Sequence, residues 1–508
     1  MSFLKSSILL AIWTVLSRIS GFIRDSIMAN YLGASVVSDA LFAASKLPNS
    51  FRRLLAEGAM SSVFVPMFSK DLVGSKKDEA MIFANQIFTI LFIVLVILVG
   101  IFELFMPFWI DILSPGFVAN KEKFDLTVSL ARINFVFLIA ISLSAFCGGM
   151  LNSIYKFAYF AATPIIFNLG IVFVSIFCGN SPNLVYYISF ATVFIGFITL
   201  LSLIFICYRN GLKVRFVPIV WNGKIRTFFS KMLNGLIGSG IYQVNIFVDM
   251  IFISWFAGGA SYLYYTDRIN QLPITLIGGT FGVALLPTIS KFIKLNQVNE
   301  ALKLQRECVL FGFFASTLCL ISVLSLGEGI VSFVYKRGEF YQNDVEIVLK
   351  MLQILSFGLF FSVLSKIYNA FLFASGDTKS PMLSGLFCAI VNIVANIALC
   401  KSQGMFCVVY ATLISSIFGG LSALYFVKKH KLYSVNFDLL KKIFLIALAG
   451  LVTFYFQKLL FNIAYKIFPL NSLVLLAILA ISAAIYTALS LAFKIYTLQN
   501  IMKIFKKL

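Results

Sequence analysis

Two stretches near the start of the chain carry charges at spacings that put them on shared helix faces. In "SRISGFIRDSIMANYLGASVVSDALFAASKLPNSFRRLLAEG", residues 17–58, an apolar background is interrupted by Arg18, Arg24, Asp25, Asp39, Lys46, Arg52, Arg53 and Glu57. Arg18 and Asp25 are seven apart, as are Asp39, Lys46 and Arg53, so each set lines one side of a helix. Arg52 points about 100° away from its stripe, and Arg24 projects away from Arg18 and Asp25. A guanidinium is a planar fork of donors that matches phosphate oxygens two at a time and stays charged. Arginines that do not share an acid therefore suit an anionic, phosphate-bearing ligand. The same residues have a plainer use. Asp39 and Lys46 form a self-neutralising buried stripe, and Arg24 snorkels to headgroups. Further on, "YYTDRINQLP" adds Arg268. A quieter set comprises Asp249, Asn392, Asn396 and Thr412, with Val408 one turn before the threonine. Oxygen ligands of that kind suit a hard cation, with backbone carbonyls completing the shell. A hydrogen bond between Asp249 and the asparagines is the equally simple alternative.

The elements that must hold these residues are membrane helices. The chain of 508 residues is 60% hydrophobic and 12% charged, with a mean hydropathy of +0.97, which excludes an ordinary soluble domain. About 20 apolar residues make a crossing. Fourteen segments qualify: 5–30, 36–68, 81–109, 127–154, 161–179, 184–208, 232–256, 262–290, 307–327, 346–374, 381–400, 404–427, 440–462 and 472–493. The expectation is an all-α polytopic membrane protein, because a spanning backbone must satisfy its own hydrogen bonds. Pro48 is expected to interrupt and bend the second helix.

The net charge of +21 reflects topology rather than nucleic-acid binding. Lys and Arg crowd alternate loops, as at Lys70, Lys76 and Lys77, at Arg209, Lys213, Arg215, Lys224, Arg226 and Lys231, and at Lys428, Lys429 and Lys431. The opposite loops hold Lys121, Lys123, Lys336, Arg337, Lys401 and Lys466. By the positive-inside rule both termini are cytoplasmic. Arg18 interrupts the first apolar run, so a cleaved signal peptide is not expected. The eight cysteines are scattered through helices and read as packing residues. His430, the sole histidine, lies in a basic loop, and no nucleotide-hydrolysing or protease motif occurs.

A repeat runs through the chain. Leu47-Pro48 matches Leu272-Pro273, and Val65-Pro66 with Ser69-Lys70 matches Leu286-Pro287 with Ser290-Lys291. Gly116 pairs with Gly338, and Asn152 and Pro164 pair with Asn369 and Pro381. The matches are in order at nearly constant separation. The expected organisation is two parallel six-helix lobes, 1–210 and 225–430, with helices 13 and 14 appended over 438–495. Transporters built this way bind substrate between repeats, which would gather Arg18, Arg24, Arg52 and Arg268 around one cavity.

With these residues in view, the chain resembles the bacterial lipid II flippases, the MurJ/MviN family of the multidrug, oligosaccharidyl-lipid and polysaccharide exporter group. The resemblance rests on "SRISGFIRDSIMANYLGA", "SDALFAASKLPNSFRRLLAEGAMSSVFVP", "SPGF", "YYTDRINQLP" and "GVALLPTISK", and it spans essentially the whole chain. It implies movement of lipid-linked peptidoglycan precursor (undecaprenyl-pyrophosphate-linked disaccharide-pentapeptide) across the bacterial cytoplasmic membrane by alternating access. It also implies a monomer among membrane lipids, with no nucleic-acid partner. Arg18, Arg24, Arg52 and Arg268 match the family's cavity arginines, Asp25 and Asp39 its sensitive acids, and Arg53 adjoins them. Helices 13 and 14 resemble those that form a groove for the polyprenyl tail. Asp249, Asn392, Asn396, Val408 and Thr412 map onto a sodium site of the family, with Asn396 where an acid can occur. No covalent chemistry is needed, and a membrane potential acts on moving charge at about 2.3 kcal/mol per 100 mV. Three other readings fit parts of the pattern: a flippase for another polyprenyl-linked oligosaccharide or a drug antiporter, a membrane enzyme on the same lipid, and a scaffold of cell-wall synthesis. An antiporter for cations wants an acidic cavity, and an enzyme wants carboxylates in a sizeable outer loop.

Overall fold

The computed structural model describes residues 3–54, 61–73, 77–430, 432, 437–467 and 472–495. Among the described residues every regular element is a helix. The first ten are α1 (Phe3–Leu32), α2 (Val36–Arg52), α3 (Ser61–Val73), α4 (Lys77–Leu104), α5 (Met106–Leu113), α6 (Lys121–Asn152), α7 (Phe157–Cys178), α8 (Leu184–Arg209), α9 (Gly223–Ile253) and α10 (Gly259–Pro273). They continue with α11 (Thr280–Lys294), α12 (Val298–Tyr335), α13 (Gln342–Ser356), α14 (Leu359–Ala374), α15 (Lys379–Gln403), α16 (Cys407–Lys429), α17 (Phe437–Ile467) and α18 (Ser472–Ala492).

Eight stretches among the described residues are long and apolar enough to cross a membrane, or nine if the bent pair α13–α14 counts as one. One of the eight, Lys379–Lys429, runs for 51 residues, about 75 Å at 1.5 Å per residue, far more than a bilayer needs. It is two helices, α15 and α16, separated at Gly404, whose φ of +56° suits glycine. Helix ends follow local chemistry. Ser35 and Ser38 form a reciprocal capping box at the start of α2. Asn120 and Asn222 accept from the first turns of α6 and α9. Pro48 does not end its helix: α2 continues to Arg52 before a π-type turn at 53–54. The second Leu-Pro behaves alike, since α10 reaches Pro273 and passes into a π-helix over Ile274–Gly279.

Helix starts recur along the chain. Lys77 and Val298 are separated by 221 residues, Lys121 and Gln342 by 221, Phe157 and Lys379 by 222, and Leu184 and Cys407 by 223.

The chain divides into two compact units, Met1–Ser261 with Arg337–Phe340, and Tyr262–Lys336 with Tyr341–Leu508. In the first, α1 packs along α7, α2 along α6, and α6 against α8. Phe64, Phe68 and Phe146 stack in its core, with 4.5 Å between the Phe64 and Phe146 centroids. Helix α9 packs here too, on α3 and α5. Two glycine turns make close backbone approaches. The Gly116 amide donates to Ser254 Oγ at 3.0 Å, and a Cβ there would meet the Ser254 and Trp255 backbone. Gly338 has a φ of +51° and leaves no room for a Cβ against the Asn30 carbonyl, to which the neighbouring Glu339 amide donates at 2.9 Å. In the second unit α12 packs on α17, α14 on α16, and α15 on α16. The appended helices are fastened to α12 by polar bonds inside the apolar layer. Tyr486 donates to the Phe314 carbonyl at 3.1 Å, and the Ser325 hydroxyl to Gln457 Oε1 at 2.6 Å.

Candidate functional site

On α1, Arg24 is nine-tenths buried and its fork is engaged. Nε and Nη2 donate to Asp25 Oδ1 at 3.0 and 2.7 Å, and Nη1 donates to Asn168 Oδ1 of α7 at 2.9 Å. Asn168 then gives its amide hydrogens back to α1, to Ser20 Oγ at 3.0 Å and the Ser17 carbonyl at 3.2 Å. Gly21 leaves the space in which that amide sits. This corrects the expectation that Arg24 projects away from its neighbours, since its side chain turns back onto Asp25. Local sequence explains why. A lone amide in the apolar α7 and a lone acid deep in α1 each need partners in a helix that cannot reach water. One arginine serves both.

A second polar centre lies at the start of α2. Asp39 is fully buried and accepts from Lys123 Nζ of α6 at 2.6 Å. It also accepts from the Gly258 amide at 2.9 Å, the Ser261 amide at 2.8 Å and the Ser261 hydroxyl at 2.7 Å. Lys123 lies 3.8 Å from the Phe117 ring centroid, a cation–π contact that shields the pair. The expected Asp39–Lys46 stripe does not form. The partner comes from another helix because Lys123, one turn into α6, is carried inward by the buried face that follows it. Reading Lys123 as an outer-loop charge hid this. The available signal was a basic residue just after a capping asparagine in a loop otherwise poor in cations.

The remaining arginines are half-buried. Arg18 lies on α1 between Ser17 and Ser20, the two residues that accept from Asn168. Arg52 ends α2, and the Arg53 amide caps that end by donating to the Asn49 and Ser50 carbonyls. Glu57 lies outside the described residues. In the second unit, Arg268 of α10 stacks over Tyr264 with 5.4 Å from Cζ to the ring centroid, and Nη2 reaches the Tyr264 hydroxyl at 3.5 Å. The start of α10 is fixed by Tyr262, which donates to Asp344 Oδ1 at 2.7 Å.

The candidate cation ligands divide between the units, with Asp249 on α9 in the first and Asn392, Asn396, Val408 and Thr412 on α15 and α16 in the second. Asn396 is fully buried and donates to the Asn392 carbonyl and Oδ1 at 3.1 and 3.2 Å, while its own Oδ1 is buried with no hydrogen bond. That oxygen is of the type a hard cation takes. Among the described residues no group of three or more His, Cys, Asp or Glu is arranged to hold a metal. The eight cysteines are all free.

The second unit also has an apolar cavity of about 510 Å³ between α12, α14 and the appended α17, lined by Phe313, Thr317, Phe360, Phe361, Leu451 and Phe454. Its walls offer a hydrocarbon chain a greasy channel and almost nothing polar.

Comparison with solved structures places this framework in a class. It superposes on an inward-facing multidrug-resistance transporter of the MATE family with a TM-score of 0.62 at 15% identity, covering 83% of this chain and 94% of that one. The fold is shared with that transporter. A structure described as lipid II flippase MurJ, inward closed conformation, superposes with a TM-score of 0.80 at 25% identity, covering 96% of this chain and 98% of that one. Residues 28–475 match the family model described as lipid II flippase MurJ. A probable lipid II flippase MurJ of Rickettsia prowazekii (strain Madrid E) is 35% identical over 437 residues, 85% of each chain. One from Rhizobium tropici is 34% identical over 410 residues, 78% of this chain and 76% of that one. The chain belongs to the MurJ family of lipid II flippases, and it is a transporter rather than an enzyme.

Proposed function

We propose that this protein carries lipid II from the inner to the outer leaflet of the bacterial cytoplasmic membrane by alternating access, working as a monomer. The observation that carries the reading is Arg24, a guanidinium buried on a membrane helix and held in the clasp of Asp25 and Asn168. A buried charge is expensive in hydrocarbon and is kept where it has a use. In this reading Arg24 leaves Asp25 and Asn168 to take the lipid diphosphate, together with Arg18, Arg52, Arg53 and Arg268, and Asp25 and Asn168 hold it between cycles. Asp39 serves differently, by fixing the end of α2 through Lys123 and two backbone amides. The apolar cavity beside α17 would take part of the isoprenoid tail.

The architecture we infer is fourteen spans in two parallel six-helix repeats, 1–210 and 225–430, with 438–495 appended and both termini cytoplasmic. The recurring helix starts and the basic loops support it. A sodium ion, if bound, would be held by Asp249, Asn392, Asn396, Val408 and Thr412, and would supply positive charge beside one carboxylate and otherwise neutral oxygens. The test is rescue of cells depleted of their lipid II flippase. The unmodified chain should restore growth, and Arg24→Ala at equal membrane abundance should not. Full rescue by Arg24→Ala would refute the diphosphate assignment.

A further inference from the structure

The segment joining α8 to α9 is irregular backbone pinned to the side of α4. After Arg209 the backbone turns through Gly211, whose φ is +76°, and runs without helix or strand to Asn222. Four of its polar backbone groups are met by protein. The Leu212 amide donates to the Cys207 carbonyl at 2.9 Å. Asn85 of α4 donates to the Lys213 carbonyl at 3.1 Å and accepts from the Arg215 amide at 3.1 Å. Thr89, one turn on, accepts from the Val217 amide at 3.2 Å, and Pro218 has no N–H to satisfy. Phe216 packs edgewise between Phe88 and Phe92, with centroids 5.3 and 5.1 Å away.

Such matching is unnecessary for a loop in water, where solvent would serve each group. It is what irregular backbone requires where water is scarce. The depth agrees. The charged start of α4 ends at Glu79 and, Asn85, Gln86 and Thr89 apart, the helix is apolar from Ala80 to Phe102, so the two pinning residues lie in the first turns of its apolar stretch, near the level at which acyl chains meet headgroups. At that level the segment turns outward Phe216 (61% exposed), Ile219, Val220 and Trp221 (65% exposed), with the exposed cations Lys213 and Arg215 among them. Aromatic rings with basic side chains are the composition of a membrane interface.

We propose that residues 211–221 form an interfacial anchor that binds anionic phospholipid of the adjoining leaflet. Phe216 and Trp221 enter the upper acyl region, and Lys213 and Arg215 hold the headgroup phosphates. The lipid-facing row of α4, including Ile82 and Ile93, continues the same surface.

The test uses the full chain in nanodiscs of phosphatidylcholine alone or with phosphatidylglycerol. Trp221 emission is taken as the difference between the unmodified protein and Trp221→Phe. That component should be quenched by lipids brominated on the upper acyl chain and protected from aqueous iodide. The reverse pattern would overturn the anchor. Co-purified phosphatidylglycerol, measured by mass spectrometry, should fall roughly fivefold for each charge removed in Lys213→Gln and Arg215→Gln. Unchanged phosphatidylglycerol in the double variant would overturn the anionic-lipid assignment even if Trp221 is embedded.

Discussion

Asp39 of α2 and Lys123 of α6 close one pair of helices in the first unit at 2.6 Å. Tyr262 of α10 and Asp344 of α13 close another in the second unit at 2.7 Å. The positions correspond: 223 residues separate Asp39 from Tyr262 and 221 separate Lys123 from Asp344, the separations at which the helices themselves begin. One junction is a buried ion pair and the other a phenol on a carboxylate, with the acid on opposite helices. The difference follows from what else each acid must satisfy. Asp39 also takes the amides of Gly258 and Ser261, so it needs full negative charge and an immobile counter-ion. Asp344 takes one further amide, that of Tyr341 at 2.8 Å. Equivalent packing problems have been solved with whatever charge the neighbouring backbone demands.

The largest effect should come from the clasp of the first unit. The position corresponding to Asn168 by helix start is Ile390, which has no amide to offer. In flippase-depleted cells Arg24→Ala should lose rescue completely. Arg24→Lys should rescue poorly, since one ammonium cannot span Asp25 and Asn168 or fork onto a diphosphate. Asn168→Asp separates the two uses of the arginine. A second carboxylate should hold Arg24 in its clasp, leaving thermal stability intact while rescue falls. If Asn168→Asp rescues as well as the unmodified chain, Arg24 does not have to leave.

Next in size is the junction itself. Lys123→Met strands a buried carboxylate and should cost about 3–5 kcal/mol, whereas Tyr262→Phe removes one bond to a carboxylate for about 1.5–3 kcal/mol. Thermal unfolding in detergent reads both. Exchanging the charges, Asp39→Lys with Lys123→Asp, should not restore stability, because the Gly258 and Ser261 amides would face a cation. Restoration by the exchange would show that the ion pair alone matters.

Much of this was legible in the sequence because membrane helices write themselves in hydropathy. Within the described residues the fourteen apolar segments lie mostly on helix, although eight stretches, or nine with the bent pair, are long and apolar enough to cross a membrane, and the Leu-Pro repeat marks two places where a helix passes into a π turn. The charged residues could be found, but not paired. Spacing along one helix suggested Asp39 with Lys46, and the true partner is 84 residues away. Periodicity reports which residues share a face, and the facing helix decides which bonds form. Asn168 was overlooked for the same reason, although a single amide in an apolar helix is a signal that a partner waits elsewhere. Backbone donors such as Gly258 leave no mark in the side-chain pattern at all.

A smaller effect concerns Asp249 of α9. If sodium binds, concentrations ten times its dissociation constant should add about 1.4 kcal/mol to stability, and Asp249→Ala should abolish that gain. A thermal midpoint that ignores sodium in the unmodified protein would remove the cation from the mechanism.

The smallest contrast lies at the turns before α7 and α15. Asp377 precedes α15 and accepts from the Lys379 and Ser380 amides at 2.9 and 3.0 Å, with His430 Nε2 2.9 Å from its other oxygen. The corresponding residue before α7 is Tyr155, in a left-handed conformation at φ +60°, and no side chain caps that helix. Burial alone would raise the Asp377 carboxyl. Hydrogen bonds from Ser380 and Lys379, together with the His430 charge, outweigh it and hold the group below the usual carboxylate value. The folded-state value lies below the unfolded one, so the contribution is complete above about pH 4 and is lost as pH falls through the lower folded value. Asp377→Asn keeps an acceptor for the two amides and removes the charge, so it should cost about 0.3–1 kcal/mol at neutral pH, the worth of an anion at a helix N-terminus. Thermal midpoints of the two proteins should converge as the pH is lowered toward 3. A constant gap between Asp377→Asn and the unmodified chain down to pH 3 would mean that the carboxylate charge contributes nothing to this cap.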